Sequence, residues 1–274
     1  DWIYQESLAR ALLGRARLTL SFDDLVRAGT ALGLGKAEAV AGSGPMLTDA
    51  VYNSTIHRSA PIAADLAVVD GAAVPPDKGD RAESMALKGD IAFYAGDYAG
   101  AIARYGDSAR IADGPGTAFR IAAWHKKTGN FDAALAGFAR AAVINDGRTP
   151  QFMANVYLQS GIVELERGNW PVAESWFRQA DGAFPGYWLT EAHLAQMAAL
   201  RGDLAAAERG YRRILAHDAQ PDVMDALAAL YRADGKAAQS RRWANAAAPV
   251  WATRLRQLPE AAYAHALEHE LVLG

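Results

Sequence analysis

The sequence predicts an all-helical solenoid, a stack of antiparallel helix pairs without a sheet. Three observations predict it. A glycine recurs at Gly96, Gly129, Gly168, Gly202 and Gly235, after intervals of 33, 39, 34 and 33 residues. A small residue stands five positions beyond each glycine, and in four of these five units a large ring stands nine positions beyond it. A period of this length marks an array in which each helix pair buries its apolar face only against its neighbours.

Upstream of the array the period is lost but helical spacing persists. Leu8, Ala11, Leu12 and Ala16 recur on one helical face, and Phe22, Leu25, Val26 and Ala31 do the same after Ser21, a residue type that caps helix starts. A second pair is expected from Leu47 to Arg58 and from Ala60 to Asp70, after the break at Gly42-Ser43-Gly44-Pro45. The run from Gly71 to Asp80 reads as a loop leading into the array.

Within the array each recurring residue has a physical reason. Glycine just past a helix end takes the left-handed conformation that closes the helix, and an Asp or Asn behind it caps the next one. Asp97, Asn130, Asn169 and Asp203 hold that place. Ala101, Ala134, Ala173, Ala207 and Ser240 are small enough to let paired helices approach closely. Tyr105, Phe138, Phe177 and Tyr211 follow four positions later, on the same face, as core residues. The fifth unit departs, with Ala244 in the ring position and Trp243 beside it, as suits a terminal unit whose outer face meets water. The 39-residue step is read as a turn-rich insertion at Asn145-Asp146-Gly147-Arg148-Thr149-Pro150, where the array should bend or step. Trp124, Trp170, Trp176 and Trp188 fall near unit junctions and are expected in the packing there. Beyond the array, Ala237 to Arg256 reads as a long helix that Pro249 should kink or divide, and a last helix starts at Pro259.

A helix-turn-helix unit of about 34 residues with these small and aromatic positions resembles the tetratricopeptide repeat. Gly89 and Gly161 match that family's first-helix glycine and Pro185 its closing proline, while Ala122, Ala195 and Ala228 replace the glycine in the other units. The resemblance covers five units over residues 81–248, between a diverged N-terminal part with its linker (1–80) and a C-terminal capping helix (249–274). It implies a right-handed superhelical solenoid whose concave face is lined by the first helix of each unit. It further implies a non-enzymatic scaffold or adaptor with a protein or peptide partner. On this register the concave face draws on Glu83, Asp90 and Tyr94, then Arg120 and Lys127, then Asn155, Gln159 and Glu166, then His193 and Gln196, and finally Asp222, Asp225 and Arg232. Some family members clamp a peptide carboxylate with Lys and Asn side chains; Ala86 and Asp90 stand in the matching region and speak against that clamp.

Composition excludes several other classes. A formal net charge of -3, with both signs interspersed, offers no basic field for a phosphate backbone, so no nucleic acid is expected. The chain has no cysteine, hence no disulfide, thiolate metal site or cysteine nucleophile. No apolar run is long enough to cross a membrane. Asp1-Trp2-Ile3-Tyr4-Gln5 lacks the basic start and apolar run of a signal peptide, and a start without methionine suits a mature or trimmed product. With the missing cysteine, this favours a periplasmic location over a cytoplasmic one.

One pair of residues points to chemistry. His265 and His269 lie four apart, so on a helix both rings leave one face at the spacing of paired metal ligands. The alternative function is therefore a helical-repeat protein that binds a divalent metal or a cofactor through this pair. Ala266 stands where the zincin pattern has its glutamate, so that motif's general base is missing. A solvated pair favoured by the dipole at a helix C-terminus is the competing explanation. His57, His125, His193 and His217 are dispersed singly, Gly33-Leu34-Gly35-Lys36 lacks the phosphate-loop spacing, and Gly42-Ser43-Gly44 lacks the strand-turn-helix context of a nucleophile elbow. No catalytic constellation emerges, and no resident cofactor is expected.

Overall fold

The computed structural model describes residues 1–40, 42–217 and 219–273. Ala41, Asp218 and Gly274, which belong to the N-terminal, array and capping segments, lie outside the described residues. Among the described residues there are fifteen helices and no strand. Fourteen of them pair in chain order: α1 (Trp2–Thr19) with α2 (Phe22–Glu38), α3 (Met46–Thr55) with α4 (Ser59–Asp70), α5 (Lys78–Tyr94) with α6 (Tyr98–Ile111), α7 (Pro115–Lys127) with α8 (Phe131–Asn145), α9 (Pro150–Glu166) with α10 (Trp170–Ala183), α11 (Trp188–Leu200) with α12 (Leu204–Leu215), and α13 (Pro221–Ala233) with α14 (Ala237–Gln257). The last helix, α15 (Pro259–Leu273), packs on α13 and α14.

The turns follow the sequence chemistry. Gly96, Gly129, Gly168, Gly202 and Gly235 all adopt φ between 71° and 83°, the left-handed region that a Cβ disfavours. Asp97 accepts the Gly100 N–H at 2.8 Å, Asn130 that of Ala133 at 3.3 Å and Asp203 that of Ala206 at 2.9 Å, each satisfying a donor left free by the helix start. Asn169 does otherwise: its amide donates to Glu164 Oε2 at 2.6 Å, and Pro171 occupies the first turn of α10.

Small residues and rings meet as expected, with one exchange that the sequence concealed. Ala101, Ala134, Ala173 and Ala207 are fully buried, as are Phe138 and Phe177. Burying each of these rings contributes about 1.5–3 kcal/mol. A Cβ at Gly89 would lie 2.5 Å from the Tyr105 ring, and one at Gly161 would lie 2.5 Å from that of Phe177. Where Ala122 and Ala195 replace the first-helix glycine, the second helix supplies one: a Cβ at Gly137 would lie 2.8 Å from that of Ala122, and one at Gly210 would lie 2.8 Å from that of Ala195.

Several expectations are corrected. The 39-residue step is mainly an extra turn of helix, not a loop, because α9 has 17 residues against 13 in α7. Thr149-Pro150 starts α9 at once, since proline needs no partner for an N–H and its φ is already helical. Pro249 neither divides nor ends α14, which runs unbroken for 21 residues. Pro249 and Asn245 are both exposed, so the carbonyl that loses its helical donor can turn to water. The loop expected to Asp80 stops sooner, because Asp77 caps α5 by accepting the Asp80 N–H at 2.8 Å. Both N-terminal pairs are present, although the buried face of α1 is Ala9, Leu12, Leu13 and Ala16, and Ala11 is exposed.

The ends of the chain meet. A single buried cluster joins Ala9, Leu12 and Ala16 of α1, Phe22 and Leu25 of α2, and Tyr52 and Ile56 to Leu258 and Ala262. Buried Arg254 of α14 lies over the Phe22 ring at 4.4 Å and donates to Gln220 Oε1 at 2.7 Å. The Gln220 amide in turn donates to the Thr19 carbonyl at 2.8 Å. Arg58 forks onto Glu260 at 3.0 and 3.1 Å. The seven pairs thus form a circuit in which the last touches the first.

Candidate functional site

The start of α15 follows directly from the closure and brings that helix against the inner, first-helix layer. His269 is buried, with Nδ1 2.7 Å from Asp225 Oδ1 of α13, and Trp251 Nε1 donates to the other Asp225 oxygen at 2.8 Å. Burial pushes the Asp225 carboxyl above its ordinary range, opposed by these two hydrogen bonds. His265, 61% exposed, stacks on Trp251 with ring centres 6.1 Å apart and 8° between planes, and its Nδ1 is 3.4 Å from Asp222.

Between the closing ends and the first helices of the later pairs lies a cavity of about 900 Å³, lined by α1, α2, the end of α3 with the turn at His57, and α11 to α15. His193 and Gln196 of α11 reach it, with His193 Nδ1 2.9 Å from Gln196 Oε1 and its ring stacked on Phe177 at 4.8 Å. Burial, which favours the neutral ring, holds the His193 pKa below its ordinary value despite that hydrogen bond. A smaller cavity of about 360 Å³ lies beside Asp90, Tyr94 and Tyr263 and shares His57 and His265 with the larger one.

A second polar constellation holds α5, α6 and α7 together. Arg120 forks onto Glu83 at 2.7 and 2.9 Å and donates from Nε to Asp90 at 3.0 Å, while the Tyr105 hydroxyl donates to Asp90 at 2.7 Å. For Glu83, burial is outweighed by the Arg120 fork, and its pKa falls. For Asp90, burial outweighs Arg120 and Tyr105, and its pKa rises. Burial with Asp90 alongside also raises the Tyr105 hydroxyl. The quartet is an internal tie, since every strong donor and acceptor in it faces another member.

The concave-face residues expected from the sequence therefore divide. Asp90 and Arg120 serve the tie between units, and Tyr94, 62% exposed, borders the smaller cavity. Lys127 is exposed at the end of α7, and Asn155 and Gln159 are half-buried on α9, where Lys126 Nζ lies 3.4 Å from Gln159 and 3.3 Å from Glu166. His193, Gln196 and Asp222 enter the large cavity, and Asp225 lies under α15. The expected metal pair does not assemble as ligands: His265 and His269 are engaged by different aspartates, one ring is exposed and the other buried, and among the described residues no three His, Asp or Glu gather in a metal-holding group. Lys36 of the Gly33–Lys36 segment sits within α2 and bridges to Asp49. Of the four tryptophans expected at unit junctions, Trp124 donates to the Tyr98 carbonyl at 2.8 Å and Trp176 stacks on Tyr157, whereas Trp170 is 44% exposed.

Sequence reasoning missed Arg17, Phe22, His57 and Arg254, all of which line the large cavity. Arg17, Phe22 and His57 of the N-terminal segments meet Arg254 of α14 only through the closure, and no periodic signal in one segment reports a contact some 200 residues away, such as Gln220 to Thr19.

No family profile and no curated protein sequence matches the chain. Solved structures do. PilW, described as a widely conserved type IV pilus biogenesis factor, is similar over 73% of this chain and 89% of its own, with 16% identity and a TM-score of 0.58. TTC0263, a thermophilic TPR protein of Thermus thermophilus, is similar over 70% of this chain and all of its own, with 20% identity and a TM-score of 0.51. The Cut9–Hcn1 hetero-tetramer of the APC/C matches 90% of this chain at 14% identity and a TM-score of 0.60, and there the match spans 46% of the other chain. No helix among the described residues is long and apolar enough to cross a membrane. At these identities the likeness concerns architecture: the chain has the tetratricopeptide-repeat solenoid fold, with its ends joined by Arg254, Gln220 and α15.

Proposed function

We propose that the chain is a non-enzymatic scaffold that holds a protein or peptide partner on the inner face of α7 and α9, across the circuit from the closure. The observation that carries this is the fate of its ionisable groups. Glu83, Asp90 and Arg120 are engaged with one another, and Asp225 with His269 and Trp251, which leaves no poised acid, base or nucleophile in either constellation. Lys127, Asn155, Gln159 and Glu166 on α7 and α9 give a mixed polar surface of the kind that positions a peptide through side-chain hydrogen bonds. The repeat fold supports the same reading, since stacked helix pairs expose an extended inner surface.

The test begins with cross-linking of the intact chain in its native lysate, identification of the partner and measurement of its affinity. Lys127→Glu combined with Gln159→Arg should weaken binding about tenfold or more, as expected for a side chain central to an interface. Unchanged affinity, or cross-links confined to the second helices of the pairs, rejects this surface. Arg120 and Asp90 are unsuitable probes, because their loss would disturb the contact between units.

A further inference from the structure

The larger cavity has a chemistry that protein binding along α7 and α9 leaves unexplained. Its volume of about 900 Å³ falls within the range of sites for small molecules, about 300–1,000 Å³. An α-helix with side chains is about 10–12 Å across, so two turns would fill the space and a folded partner cannot enter. The walls are aliphatic and aromatic, including Leu25 of α2, Trp188 and Leu189 of α11, and Val223 and Leu230 of α13. Polar groups are few, and some already engage each other: His193 with Gln196, and Arg254 with Asp222 at 3.3 Å.

Two features select the ligand. Arg17 of α1 lines the cavity yet is solvent-exposed, which places it at the mouth. Among the described residues no carboxylate forms an ion pair with its guanidinium, although its charge reaches Glu83. Arg254, the other arginine of the lining, is held by Asp222 and Gln220, so Arg17 is the cation that the site offers to a ligand beside an apolar chamber. An extended peptide would carry an N–H and a C=O per residue into that chamber, and each would be buried with too few partners. An alkyl chain carries none, and a single carboxylate matches a single cation.

We propose that this cavity binds a fatty acid, its carboxylate on the Arg17 guanidinium and its acyl chain laid between α11 and α13. The site is separate from the α7–α9 face, so either assignment can fail without the other.

The full-length chain, stripped of lipid, is titrated with palmitate, with hexadecanol and with a short apolar peptide. Trp188 and Trp251 line the cavity and report occupancy through their fluorescence. Palmitate should bind once per chain, with hexadecanol about tenfold weaker, the equivalent of one lost charge-assisted contact. Arg17→Glu should weaken palmitate about tenfold and leave hexadecanol unchanged. Ala229→Leu, which fills the chamber, should weaken both; Ala233→Leu replaces it if that variant fails to melt like the wild type. The assignment is overturned if wild-type chain takes up no palmitate, if Arg17→Glu and the filling variant both leave palmitate binding intact, or if the peptide binds and palmitate cannot displace it.

Discussion

Gly137 of α8 backs onto Ala122 of α7 so closely that a Cβ on the glycine would stand 2.8 Å from the alanine Cβ. The glycine that the repeat normally carries on its first helix has changed sides, and the close approach survives. The same exchange occurs between Ala195 and Gly210. Close packing is thus a property of the helix pair, and either helix can supply the missing side chain.

Gly137→Val is accordingly expected to destabilise the protein by about 2–3 kcal/mol, since the obstructing atoms belong to Ala122 and its backbone and cannot swing away. Gly14→Ala is the control, because its Cβ would meet nothing within 4 Å and should gain about 0.5–1 kcal/mol from helix propensity. Chemical denaturation of both variants checks the sign of each; equal effects would mean that this interface tolerates a side chain.

Arg254→Ala should cost about 3–5 kcal/mol, the usual result of removing one partner from a buried charged network. Arg254 joins α14 to Gln220 and Asp222 and covers Phe22, so its loss should also release α1 and α2. Amide hydrogen exchange should show lost protection in residues 2–38 ahead of the array. Protection unchanged there would remove Arg254 from the closure.

Asp65 supplies a pH dependence. Its carboxyl is buried, one oxygen has no hydrogen-bond partner, and burial with Asp49 alongside raises its pKa from 3.8 to about 6. The folded state therefore holds this proton more tightly than the unfolded chain, and stability from this group falls as pH rises from about 4 through about 6. Asp65→Asn should stabilise the protein at pH 7 by about 1–2 kcal/mol, with the gain fading as pH approaches 4. Melting curves that stay parallel for the two proteins across that window would refute the shift.

Asp225→Ala would leave the Trp251 N–H and the His269 ring without their shared acceptor. A loss of about 2–4 kcal/mol is expected, together with faster proteolysis within α15 than elsewhere. Cleavage confined to other segments would show that the remaining contacts of α15, the Arg58–Glu260 pair and buried Ala262 and Ala266, suffice to hold it.

The array was legible because its determinants are local. Gly96, Asp97, Ala101 and Tyr105 lie within ten residues, and each acts on a neighbouring turn. His193, Gln196 and Asp222, which the first-helix alignment grouped together, all line the large cavity. It did not show that Arg120 and Asp90 bind one another, because the sign of a charge tells nothing of whether its complement stands one repeat away. His265 and His269 illustrate the same limit: spacing put them on one helix, but Asp222, Asp225 and Trp251 determine what each ring meets.

The hydrogen bonds from Gln220 to Thr19 and from Gln257 to Asp23 span 201 and 234 positions of the chain. In an open solenoid the free energy is close to a sum over units and nearest-neighbour interfaces, and folding can spread from any nucleus. Here one interface exists only after the whole array has brought its termini together, so its loop-closure entropy must be met by every unit in between. Trimming either terminus consequently removes two boundaries instead of one, and additivity along the repeats breaks at that seam.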